Sequence, residues 1–152
     1  MPAVLVSACL LGIHSRYDGR TCPDHELITR LRRQGHPIVP VCPEQLGGLP
    51  TPRPPAQISA GDGHNVLEGS ARVVTVHGDD VTGHYQRGAR ECVHLATLLG
   101  CTRAYLKETS PACGVRTIQR GGQTCPGSGV AAAALHAAGI QVIGVESLTG
   151  DE

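Results

Sequence analysis

Ala3-Val4-Leu5-Val6 is an unbroken apolar run near the start of the chain, and Ser7-Ala8-Cys9 follows it directly. A short apolar run of this kind predicts a strand buried on both faces. Downstream, residues 24–34 carry Leu27, Ile28 and Leu31 at helical spacing, which predicts a helix stopped at Gly35. Residues 37–41 predict a second strand. Pro40 has no N–H for the interior of a sheet, so that strand belongs near an edge or end. Strand, helix and strand in this order point to a parallel sheet with helices against its faces.

The pattern continues outward from there. Residues 72–76, 103–107 and 140–145 predict further strands. Residues 82–99 predict the longest helix, with Ala89, Cys92, Leu95, Ala96 and Leu99 on one face. Asp79 or Asp80 starts it and Gly100 stops it. Residues 127–138 predict an Ala-rich helix closed by Gly139. Residues 42–69, with Pro50-Thr51-Pro52-Arg53-Pro54-Pro55 at their centre, are dense in Pro and Gly and predict a long, stiff loop. No repeat or linker divides the chain. The fold expected is α/β: one Rossmann-like domain over residues 1–152, a mainly parallel sheet flanked by helices, with the long Pro/Gly-rich loop.

Composition narrows the function. The chain of 152 residues balances 13 basic against 13 acidic residues and has three Tyr, no Trp and no Phe. A nucleic-acid platform needs basic stripes and stacking rings, so that class is disfavoured without being eliminated. A polybasic membrane patch is absent. The longest apolar stretch, residues 130–145, is broken by His136, Gln141 and Gly, and is no membrane span. The opening residues lack a charged leader, so a cytoplasmic protein is expected. Seven Cys is an odd number. In a reducing compartment this favours metal binding, catalysis or plain burial over a disulfide framework.

Cys9, Cys42 and Cys113 share one feature. Each lies just beyond the carboxyl end of a predicted strand, where an open parallel sheet forms its ligand crevice. Three small buried hydrophobes would explain them equally well, since free Cys is often buried. Their neighbours add chemistry. Cys42-Pro43-Glu44 sets a carboxylate two residues from a thiol, and Ser110-Pro111-Ala112-Cys113-Gly114 sets a hydroxyl and a Pro/Gly turn beside another. Arg16-Tyr17-Asp18-Gly19 is by itself a turn signal. Cys92 and Cys101 read as core. Cys22 and His25 have C-x-x-H spacing, so a zinc-binding structural or interaction module is one alternative, although no C-x-x-C pair is present. A metal-free thiol enzyme with Cys113 as nucleophile is another.

Taken together these motifs resemble the thiouracil desulfidase family. Val6-Ser7-Ala8-Cys9-Leu10-Leu11-Gly12 with Arg16-Tyr17-Asp18-Gly19 is similar to its opening motif. Cys42-Pro43-Glu44 with Gly47-Gly48-Leu49-Pro50-Thr51-Pro52-Arg53 is similar to its second, and Leu106-Lys107-Glu108 with Ser110-Pro111-Ala112-Cys113-Gly114 to its third. The likeness spans essentially the whole chain, with the motifs in order. It implies a [4Fe-4S] cluster on three thiolates, Cys9, Cys42 and Cys113, with one iron left open. That iron would take sulfur from a small thiolated pyrimidine, water would add to the ring carbon, and the sulfur would leave as hydrosulfide with no net redox change. Within this scheme Glu44 is the expected general base or proton shuttle, and Ser110 positions water or substrate. Ser7, Asp18, Arg53 and Lys107 are candidates for orienting the ring or the loop. Two residues depart from the family pattern: Ala112 stands where a second Ser is common, and Ser15 where many relatives carry Cys.

Overall fold

A computed structural model describes residues 1–146. Its strands are β1 (Val4–Ser7), β2 (Ile38–Val41), β3 (Ala56–Ile58), β4 (Val73–Thr75), β5 (Arg103–Lys107), β6 (Thr117–Arg120), β7 (Gln123–Pro126) and β8 (Gln141–Val145). Its α-helices are α1 (His25–Arg33), α2 (Pro43–Leu46), α3 (Gly63–Glu68), α4 (Thr82–Leu99) and α5 (Val130–Ala137), with a 3-10 helix over Ala8–Leu11. The central sheet has the order β2-β1-β5-β8 and every pairing in it is parallel. The chain leaves β1 toward β2 and then crosses to β5 on the other side. The β1/β5 boundary is therefore the topological switch point, beneath the place where such sheets bind ligands.

Alternate residues of β1 pack on opposite faces. Val4 and Val6 join Leu27 and Leu31 of α1 and Tyr105 of β5, whereas Leu5 joins Ala104, Leu106 and the buried faces of α4 and α5. Both faces are covered, which is why the strand reads as a continuous apolar run. α1 starts at Asp24, whose carboxylate accepts from the Leu27 N–H at 3.0 Å. β2 is an edge strand, as Pro40 requires. Among the described residues no helix is long and apolar enough to cross a membrane.

α4 and β5 form over the residues expected of them. Val81 is the N-cap of α4, and Asp80 just before it, rather than Asp79, accepts from the Thr82 N–H at 2.9 Å. Leu99, expected on the buried face, is 45% exposed. Three other expectations are corrected. The stretch 42–69 is not one loop: α2, β3 and α3 form within it, and the irregular segments between them are residues 47–55 and 59–62. Residues 72–76 do not join the parallel sheet; β4 pairs antiparallel with β3 in a separate ribbon. The Ala-rich helix begins at Val130 rather than Gly127, because the antiparallel hairpin of β6 and β7 occupies residues 117–126. Residues 147–152 of the expected domain lie outside the described residues.

Candidate active site

The three cysteines sit at the carboxyl edge of three adjacent strands. Cys9 follows β1 in the 3-10 helix, which ends at Gly12 in a left-handed conformation with φ 89°. Cys42 follows β2 as the N-cap of α2, in extended backbone. Cys113 follows β5 in the turn 110–114. Cys9 and Cys113 are buried and Cys42 is half-buried.

Cys113 is the most elaborately held. The Ser110 hydroxyl oxygen accepts from the N–H groups of Ala112 and Cys113, both at 3.1 Å. The first N–H groups of α5 have no partners inside the helix. Here they donate to the same turn: Val130 to the Pro111 carbonyl and Ala131 to the Ala112 carbonyl, each at 2.9 Å. Gly129 lets the helix approach so closely, since a Cβ there would lie 2.5 Å from the Ala112 carbonyl carbon. Glu108 fixes the outgoing side. Its carboxylate is 1% exposed and accepts from the N–H groups of Val115, Arg116 and Thr117. Between Glu108 and Ser110, Thr109 takes φ 72°, a strained conformation for a β-branched residue. Two ladder bonds hold it there, from Thr109 N–H to the Thr117 carbonyl at 3.1 Å and from Gln119 N–H to the Thr109 carbonyl at 2.9 Å.

Cys9 feels the charge of Cys113, Cys113 that of Cys42, and all three thiols that of Glu44. Burial raises the Cys113 pKa most, followed by the charges of Glu44 and Cys42, and a Ser7 hydrogen bond opposes the rise. The Cys9 thiol is raised chiefly by a hydrogen bond with Cys22, then by burial and by the charges of Cys22, Cys113 and Glu44. Cys42 is pushed up to about 11, first by burial and then by Glu44, against the Gln45 N–H and the Arg53 charge. Glu44 stands in the middle of this group. Its Oε1 accepts from the Cys42 thiol at 3.6 Å, and its Oε2 is 3.8 Å from the Arg53 guanidinium. Arg53 also donates to the Ser15 carbonyl at 3.0 Å and the Thr51 hydroxyl at 2.9 Å, and its backbone N–H to the Tyr17 carbonyl at 2.8 Å.

Of the other expected residues, Ser7 joins the site: its oxygen accepts from the Lys107 N–H at 2.9 Å across the switch point while its hydroxyl meets Cys113. Lys107 is buried at the end of β5 and donates from Nζ to the Glu108 carbonyl at 3.1 Å. Asp18 instead serves its own turn, accepting from the Arg20 N–H at 3.0 Å. Of the C-x-x-H pair, Cys22 is wholly buried and His25 is exposed. Cys113 is buried, and burial pushes its thiol pKa up.

Two further residues lie close to these groups, and the sequence alone does not single them out: Glu108, beside the Cys113 turn, and Tyr85. Tyr85 of α4 is 4% exposed and feels the charges of Glu44, Arg53, Cys113 and Cys42. Burial is the largest cause of its raised pKa, so the phenol stays neutral and able to donate. Its helix presses on α2, because a Cβ at Gly88 would meet the Pro43 carbonyl oxygen at 2.0 Å and one at Gly47 the His84 carbonyl oxygen at 2.0 Å. Nothing in the sequence named Tyr85 as the residue across this contact.

The chain is similar to known proteins over most of its length. A family model described as 2-thiouracil desulfurase matches residues 4–147. A Bacillus subtilis (strain 168) protein, named as the uncharacterized protein YbbK, is 42% identical over 150 residues, which are 95% of this chain and 97% of that one. A solved structure named as the [4Fe-4S]-dependent thiouracil desulfidase TudS (DUF523Vcz) is similar with a TM-score of 0.81 and 39% identity, covering 95% of this chain and 91% of that one. With the parallel sheet, the carboxyl-edge thiols and a match that runs nearly from end to end, the chain belongs to the 2-thiouracil desulfurase family.

Proposed function

We propose that this enzyme hydrolyses the C–S bond of a small thiolated pyrimidine, such as 2- or 4-thiouracil, using a [4Fe-4S] cluster held by Cys9, Cys42 and Cys113. The observation that carries the reading is the donor set: three thiols from three adjacent strand ends, with a carboxylate among them. Soft thiolates suit iron–sulfur clusters. Among the described residues no three His, Cys, Asp or Glu gather tightly enough for one ion. The TudS relative is named as [4Fe-4S]-dependent. When bound, a cluster with three protein ligands supplies an open iron, a Lewis acid for the thiocarbonyl sulfur.

The side chains do the rest. Glu44 takes a proton from the water whose oxygen adds to the thiocarbonyl carbon, and returns it as the sulfur departs. The balance is thiouracil plus water to uracil plus hydrogen sulfide. Arg53 holds the Glu44 carboxylate in place. The Ser110 oxygen already accepts two N–H groups, so its own proton is left to donate to water or substrate. Ser7 orients Cys113, and Tyr85 presents a neutral donor toward the ring. Burial of these groups keeps bulk water from competing with the one that reacts.

The test is to reconstitute the protein without oxygen, supply 2- and 4-thiouracil in ¹⁸O-labelled water, and measure uracil and hydrosulfide. One labelled oxygen per uracil formed is expected. No uracil from either substrate, or uracil without label, would contradict the proposal.

A further inference from the structure

One buried thiol has no part in the chemistry above. Cys22 is wholly shielded from solvent, in an apolar setting of Val4, Val6, Leu10, Leu27 and Tyr105. It lies against Cys9 along both backbone and side chain. The Cys22 N–H donates to the Cys9 carbonyl at 3.1 Å, the Thr21 hydroxyl to the same carbonyl at 2.9 Å, and the Asp24 N–H to the Leu10 carbonyl at 2.9 Å. The segment 21–24 is thereby fastened to the 3-10 helix that carries Cys9. The two side chains lie together in one buried cluster. An ordinary core cysteine needs none of these bonds, and a loop residue facing solvent would not be closed over a ligand sulfur.

We infer that Cys22 is a positioning residue for the reaction: its S–H donates a hydrogen bond to the Cys9 sulfur when that sulfur holds iron. The inference rests on the cluster reading above. A metal-held thiolate has no proton to give, so the hydrogen in the pair is that of Cys22. The surroundings are apolar, which strengthens the bond. Hydrogen bonds to ligand sulfurs are one of the levers a protein has on a cluster. Withdrawing electron density from the Cys9 sulfur stabilises the reduced cluster and makes its iron a stronger Lewis acid.

The test compares Cys22→Ala, which removes the donor, with Cys22→Ser, which restores one. Each is reconstituted without oxygen, and iron content and the reduction potential of the cluster are measured beside wild type. Cys22→Ala is expected to keep its iron and shift to a more negative potential, with Cys22→Ser returning toward wild type. A fully loaded Cys22→Ala with an unchanged potential would overturn the inference alone. So would loss of iron from Cys22→Ala to the extent seen in Cys9→Ser, which would make Cys22 a ligand. Should Cys22→Ala not fold, wild type gives a second readout. Reconstitution in D₂O shifts the Fe–S bands of the resonance Raman spectrum if an S–H donates, and an unshifted spectrum would overturn the inference. A wild-type protein that takes up no iron would overturn the functional reading and this inference with it.

Discussion

The Arg53 guanidinium stands 3.8 Å from the Glu44 carboxylate, with both side chains almost closed to solvent. The same guanidinium reaches the Ser15 carbonyl at 3.0 Å and the Cys42 sulfur at 4.0 Å. One residue of the Pro-rich segment thus ties together the loop after β1, the thiol after β2 and the carboxylate of α2. The Pro-rich composition of that segment has a structural purpose: a stiff backbone delivers one cation to a buried position.

Glu44→Gln keeps the size of the side chain and removes its basicity. The turnover number should fall roughly a hundred- to ten-thousand-fold, the range of a lost general base. Iron content should stay at the wild-type level. Undiminished turnover would show that Glu44 does not move the proton.

Arg53→Met leaves a buried carboxylate without its counter-charge, at a cost of about 3 kcal/mol in denaturant unfolding. Arg53→Lys should recover only part of this, because one ammonium cannot meet the Ser15, Thr51 and Glu44 positions of a planar fork at once. Full recovery by Lys would show that charge alone is what the site requires.

Glu108 gives a pH dependence. Burial acts against its ionised form, but the N–H donors of residues 115–117 and the Arg116 side chain outweigh it, so its pKa lies below the ordinary 4.5. A depressed carboxylate stabilises the fold above its unfolded pKa, and that stability is lost as pH falls through the folded value. Glu108→Gln should therefore melt well below wild type at pH 7. The gap should narrow as pH is lowered beneath 4.5. A gap that does not change with acid would mean that the charge contributes nothing.

Gly129→Ala places a methyl 2.5 Å from the Ala112 carbonyl carbon, where α5 grips the Cys113 turn. Overpacking of this kind costs about 1–3 kcal/mol and should also lower iron uptake. Gly83→Ala, in the first turn of α4 with open space around it, is the control. It should leave stability unchanged or raise it by up to about 1 kcal/mol. Equal effects at the two positions would show that the close approach of α5 does not matter.

What could be read from the sequence follows the length and periodicity of each element. α4 and β5 announced themselves through a long helical stripe and an apolar run between Gly100 and a Pro turn. The β3/β4 ribbon did not, because its strands are three residues long and one sits directly after Pro54-Pro55. The β6/β7 hairpin left a trace in Gly121-Gly122, two residues between short runs. Those runs are mostly polar and place only Ile118 in the core, so no hydrophobic alternation supported them. The cysteine triad was legible because strand ends in a parallel sheet converge, a rule of topology that needs no coordinates. Glu108, Tyr85 and Cys22 were not. Their partners are backbone amides, a neighbouring helix and another loop, and only tertiary packing brings these together.

The most direct test of the central claim is iron and acid-labile sulfide content, with the visible spectrum, of protein purified and reconstituted without oxygen. Wild type should hold about four irons and four sulfides per chain with broad absorption near 400 nm, as expected of a thiolate-held cubane. Cys9→Ser, Cys42→Ser and Cys113→Ser should each lose them, and Cys125→Ser, on the β7 ribbon, should not. A colourless wild-type protein, one that takes up zinc in place of iron, or a full cluster in all three Ser variants would contradict the claim.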